Sequence, residues 1–123
     1  MSEELKVHFN KILQSIEGLM AIIITDRDGV PVFKVSTEHC PELVLRHTFL
    51  GTFGLAANQA SKLGMSDNKS IICMYENYQV VQINKPPLLL TYVASSDSNT
   101  GVLLDLDNSF QDALQDLRRV VNT

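Results

Sequence analysis

Two short stretches, "LMAIIIT" at residues 19–25 and "LLLTYVA" at 88–94, are apolar at nearly every position. Both fall far short of the roughly 20 residues that a membrane-crossing helix needs. As strands they have no polar face to turn to water, so each must be covered on both sides and lie inside a sheet. The rest of the chain has to supply the covering layers. At 123 residues, with 45% apolar content, it is expected to form one domain over residues 1–123.

The remaining elements follow from periodicity and turn chemistry. Ser2 to Ile16 reads as a helix, with Leu5, Phe9, Ile12 and Ile16 along one stripe, Ser2 as its cap and Glu3 and Glu4 at its positive end. Asp26-Arg27-Asp28-Gly29 reads as a hairpin turn, Asp opening it and Gly closing it at positive φ. Val30 to Val35 returns as a second strand. Pro41 to Leu63 reads as a long helix with two apolar stripes: Phe49, Phe53, Ala56, Ala60 and Leu63, and Leu43, Leu50, Gly54 and Ala57. Gly64 is its expected stop. Ser70 to Tyr75, Tyr78 to Ile83 and Leu88 to Ala94 read as three strands. Glu76-Asn77 and Asn84-Lys85-Pro86-Pro87 are the expected turns between them. A last helix is expected from about Asp107 to Val121, with Phe110, Leu114, Leu117 and Val121 inward and Ser109 with Asp112 as a capping box.

The fold class is therefore α/β, an α+β sandwich of order α-β-β-α-β-β-β-α with helices on both faces of a five-stranded antiparallel sheet. The two most apolar strands, first and fifth, should be central neighbours. Pro31 cannot donate to a ladder, so the second strand belongs at one edge. The meander of the last three strands then puts "SIICMY" at the other edge, giving the order 2-1-5-4-3. That edge has no proline and no charge to protect its open backbone groups, so it is expected to pair with another chain. The candidate interface is Phe49, Leu50, Phe53, Gly54 and Ala57 of the long helix with Ser70, Ile71, Ile72, Cys73, Met74 and Tyr75 of the edge strand.

Signals for catalysis do not assemble. An apolar strand ending in Asp-x-Asp-Gly resembles the nucleophile site of haloacid-dehalogenase phosphohydrolases, with Asp26 as nucleophile and Asp28 as acid/base. That motif needs a helix next, whereas "VPVFKV" reads as a strand, and it needs a later Lys, whereas none follows Lys85. Asp105 and Asp107 imitate its metal-binding acids without that context. A calcium loop fails too, because Ile24 and Val35 would occupy ligand positions. His8, His39 and His47 have no second ligand at metal spacing. Cys40 and Cys73 form no CxxC pair, and Cys73 lies in an apolar strand, where a packing role is expected over a nucleophile's. No catalytic residue, cofactor or metal is expected.

The formal charge of −4 and pI near 5.2 argue against nucleic acid as a partner. The charged start "MSEELKVHF" is not expected to act as a signal peptide, and with Ser at position 2 no N-myristoylation is expected. Membrane location is expected only through a partner.

Three stretches carry a family likeness: "IEGLMAIIITDRDGVPVFKV", "ASKLGMSDNKSIICMYENYQVVQIN" and "ASSDSNTGVLLDL". Over roughly residues 4 to 121 the chain resembles the roadblock (dynein light-chain) family. "SKLG…NKSIIC…YQVVQ" is similar to the branch that scaffolds MAP kinases in Ragulator-type complexes. The resemblance implies a non-catalytic scaffold that pairs with a second roadblock subunit through the third strand and long helix. It implies a lipidated adaptor and other Ragulator subunits as companions at late endosomes and lysosomes. It further implies anchored Rag GTPases for mTOR-complex signalling and recruited MEK and ERK kinases. The alternatives are a self-pairing dynein light chain or small-GTPase regulator, and a small phosphohydrolase using Asp26 and Asp28.

Overall fold

A computed structural model describes residues 3–26, 30–40, 42, 70–85 and 88–122. Helix α1 spans Glu3–Ser15, and strands β1 (Leu19–Thr25) and β2 (Pro31–Ser36) follow it. Strands β3 (Ser70–Met74), β4 (Tyr78–Lys85) and β5 (Leu88–Ser95) form the meander. The chain continues as a short helix α2 (Thr100–Asp105), a 3-10 segment (Leu106–Phe110) and helix α3 (Gln111–Asn122). Apart from Glu42, the expected long helix over Pro41 to Leu63 lies outside the described residues, as do its Gly64 stop, the Ser2 cap, Arg27-Asp28-Gly29 and Pro86-Pro87.

The five strands make one antiparallel sheet in the order β2-β1-β5-β4-β3. The two fully apolar strands pair at its centre, with Ile22 opposite Tyr92 and Ile24 opposite Leu90. Both of their faces are buried, as strands with no polar side require. On one face Ile22, Ile24, Val81, Ile83, Leu90 and Tyr92 pack with Phe9 and Leu13 of α1 and with Leu103, Leu106, Leu114 and Leu117 of the C-terminal segments. On the other face Ala21, Ile23, Val80 and Val93 are completely buried.

The chain departs from expectation in five places. Leu13, not the stripe of Leu5, Ile12 and Ile16, joins Phe9 as the buried pair of α1, while those three pack partly buried around it. β4 runs on through Asn84 and Lys85, which pair with Leu89 and Leu88, so the expected four-residue turn gives two of its members to the ladder. Tyr75 falls just beyond β3. The last helix begins at Gln111 rather than Asp107, so the Ser109–Asp112 capping box does not form: Ser109 sits in the 3-10 segment. The cap is instead Asn99, whose side chain accepts the Val102 N–H and starts the unexpected α2. In α3, Leu114 and Leu117 are buried as expected, while the side chains of Phe110 and Val121 lie outside the described ones.

Candidate functional site

β3 pairs only with β4 among the described residues, leaving its other side open. The hairpin between them fixes which backbone groups face that opening. Tyr75 N–H donates to Tyr78 C=O at 2.9 Å, which makes Tyr75 and Tyr78 a hydrogen-bonded pair. Antiparallel pairs alternate, so Cys73 with Val80 and Ile71 with Gln82 are bonded pairs too. Ser70, Ile72 and Met74 therefore aim their N–H and C=O groups away from β4. The sequence names the strand but not this phase, which needs the hairpin register.

The side chains divide in the same rhythm. Ile72 lies opposite Val81 and so shares the face that α1 and the C-terminal helices cover, yet it is 42% exposed and Met74 is 59% exposed. Cys73, opposite Val80, turns to the other face and packs half-buried against the small apolar cluster there. Cys40 packs against that cluster as well. Burial pushes both thiols up from their ordinary value, with Lys34 opposing the rise at Cys40. Raised thiols are poor nucleophiles at neutral pH, so packing is the role the structure gives them. Tyr75, 38% exposed, stacks on Tyr78 at 4.7 Å between ring centroids, with a 16° interplanar angle. This braces the hairpin that ends β3. Of the candidate interface, the structure thus brings Ser70, Ile72, Cys73, Met74 and Tyr75 to one edge. It places Ile71 in the strand without describing its side chain. Phe49, Leu50, Phe53, Gly54 and Ala57 lie outside the described residues.

Two polar groups anchor the layer beside this edge: Gln79, which the sequence reading does not single out, and Asp107, which it reads as a helix start and a would-be metal acid. Gln79 of β4 is completely buried. Its Nε2 donates to the carbonyls of Ser95 and Ser98 at 3.1 and 3.0 Å, and its Oε1 accepts from Thr100 Oγ1 at 2.7 Å. It therefore fixes the loop from β5 into α2. Asp107, 5% exposed, meets Lys85 Nζ at 3.0 Å. Burial, aided by the Asp107 carboxylate, drives the Tyr92 phenol far above its ordinary range, so it stays neutral. A glutamine and an aspartate within apolar stretches are the signals that could have marked both sites.

Asp26 directly follows β1 and closes a hairpin: its N–H donates to Val30 C=O and its Oδ1 accepts from Val30 N–H, both at 3.1 Å. An antiparallel strand, β2, follows where the phosphohydrolase motif requires a helix. Asp107, one of the would-be metal acids, is ion-paired to Lys85 instead. Among the described residues no three His, Cys, Asp or Glu side chains gather as a metal site.

The chain matches, over residues 3–121, the family described as mitogen-activated protein kinase kinase 1 interacting. It is 56% identical over 121 residues to Ragulator complex protein LAMTOR3-B of Xenopus laevis, covering 98% of both chains. It is 51% identical over 121 residues to Ragulator complex protein LAMTOR3 of Pagrus major, again at 98% coverage of both. Among solved structures, a Roadblock/LC7 domain from Streptomyces avermitilis superposes with a TM-score of 0.67 at 13% identity, over 93% of this chain and 94% of that one. That likeness bears on the fold alone, and it agrees with the observed sheet. Sequence kinship over nearly the whole length goes further: this chain belongs to the mitogen-activated protein kinase kinase 1 interacting family and has the roadblock fold.

Proposed function

We propose that this chain is a non-catalytic scaffold subunit that pairs through β3 with a second roadblock-type chain. The observation that carries this reading is the open row of Ser70, Ile72 and Met74 backbone groups, flanked by the exposed Ile72 and Met74 side chains. An antiparallel partner strand centred on Ile72 would satisfy the whole row and cover both side chains. The long helix of residues 41–63 would complete the interface through Phe49, Leu50, Phe53, Gly54 and Ala57.

Kinship supplies the assembly. Relatives named as Ragulator complex proteins, in a family described by its interaction with a MAP kinase kinase, support a place in a Ragulator-type complex. In this reading the paired chains sit on the cytoplasmic face of late endosomes and lysosomes. There they would anchor Rag GTPases for mTOR-complex activation and recruit MEK and ERK kinases. None of the described helices is long and apolar enough to cross a membrane. A lipidated adaptor among the complex's subunits would then provide the attachment.

Ile72→Lys tests the pairing. Ile72 is already 42% exposed, so the lone chain tolerates the charge. In a sealed interface an unpaired charge costs on the order of 3–5 kcal/mol. Co-expression with a second roadblock subunit, followed by size-exclusion chromatography, should show a paired wild type and an unpaired variant. Pairing that survives Ile72→Lys overturns the reading. A wild type that sediments as a dimer by itself would make the second chain another copy of this one.

A further inference from the structure

The C-terminal segments are held on the sheet by apolar packing and by one charge pair. Leu103, Leu106, Leu114 and Leu117 join the core that Val81 and Ile83 of β4 line. At the edge of that apolar contact Asp107 places a carboxylate whose side chain is 7% exposed. Lys85, the last residue of β4, reaches its Oδ2 at 3.0 Å. Among the described residues two neutral polar groups also face it: Gln111 Nε2 stands at a long 3.5 Å from Oδ2, and the Tyr92 phenol lies close enough to feel its charge. Among the described residues Lys85 is the one cation paired with this carboxylate.

The two halves of the pair differ in access. The Asp107 side chain is largely withdrawn from water at 7% exposure, whereas the Lys85 side chain is 34% exposed and open to reagents from solvent. Loss of the lysine charge strands the buried carboxylate, and removing one partner of a buried pair is the costly direction. An outward swing of the 3-10 segment carrying Asp107, taking Leu106 with it, would relieve that cost.

We propose that Lys85–Asp107 is a charge latch on the C-terminal helical segments, opened by acylation of Lys85. The donor is an acyl-CoA thioester. The deprotonated Nζ attacks the thioester carbonyl, an amide C–N bond forms, the C–S bond breaks, coenzyme A leaves as its thiol, and the ammonium proton passes to solvent. The product is neutral and larger, and among the described residues the Gln111 amide and the Tyr92 phenol are then the polar groups left beside the Asp107 carboxyl. Opening uncovers Val81 and Ile83, which lie beside Ile72 and Ser70 on the same sheet face. The apolar strip at the open edge of β3 thereby widens, so one lysine charge alters the surface that a partner meets.

The test is amide hydrogen exchange across the full chain. It compares wild type, a chain carrying Nε-acetyllysine at position 85, Lys85→Gln, Lys85→Arg and the double variant Lys85→Gln/Asp107→Asn. Acetylation and Lys85→Gln should speed exchange in residues 100–122 by roughly tenfold or more, with β1 and β5 much less affected. Lys85→Arg should match wild type, and the double variant should recover most of the protection, because it removes the stranded charge. The latch is overturned if Lys85→Arg exchanges as fast as Lys85→Gln, if exchange rises uniformly along the chain, or if Asp107→Asn brings no recovery to Lys85→Gln.

Discussion

Gly18 joins α1 to β1 at φ +84, a backbone region that L side chains avoid. A Cβ added there would lie 2.6 Å from Ser98 Oγ, which itself donates to the neighbouring Glu17 carbonyl. Gly18→Ala should therefore cost about 1–3 kcal/mol, through backbone strain and the displaced hydroxyl. Denaturant unfolding measures this, and an unchanged midpoint would contradict it. Tyr92 gives a pH signature. In the unfolded chain its phenol ionises near the ordinary value of about 10, whereas in the folded chain burial holds it neutral. Above that pH the unfolded state binds fewer protons, so folding stability falls as pH rises. Between about pH 10 and 11.5 wild type should lose stability more steeply than Tyr92→Phe. Parallel curves would remove Tyr92 from the account.

At the scale of elements, Gln79 is the pin that sets α2 against β4. Gln79→Ala removes the Gln79 partner of the Ser98 carbonyl and the Thr100 hydroxyl and one of the two donors to the Ser95 carbonyl, which keeps the Ser98 N–H, around an emptied site. A loss of about 2–3 kcal/mol is expected, with faster amide exchange in Leu103 and its neighbours. A loss spread evenly over the sheet would mean that Gln79 only fills space. This pin also explains what could be read from the chain. Continuous apolar runs and Pro31 carried the sheet order, because burial on two faces and a missing donor are properties of single segments. The segment from Ser96 to Phe110 was not readable in that way. Its helix start depends on Asn99 capping Val102, and its placement on Gln79, which lies far earlier in the chain, in β4. Likewise Asp107 reads in sequence as an orphan acid or a helix start. Only the ladder that carries Lys85 beyond Ile83 shows its partner.

For the whole molecule, the two sheet edges have different fates. β2 begins with Pro31, and the bulge between Ile24 and Thr25 disturbs the ladder beside it; both discourage addition of a strand. β3 has neither device and offers Ser70, Ile72 and Met74 in one unbroken phase. In the proposed assembly this row is where a second roadblock-type chain adds its strand. Residue-resolved amide exchange, with and without that chain, distinguishes the outcomes. On pairing, the amides of Ser70, Ile72 and Met74 should slow by roughly a hundredfold or more, while those of Ile71 and Cys73, already bonded to β4, change far less. Equal slowing of both sets, or none at Ser70, Ile72 and Met74 in a complex that has formed, would contradict edge pairing through β3.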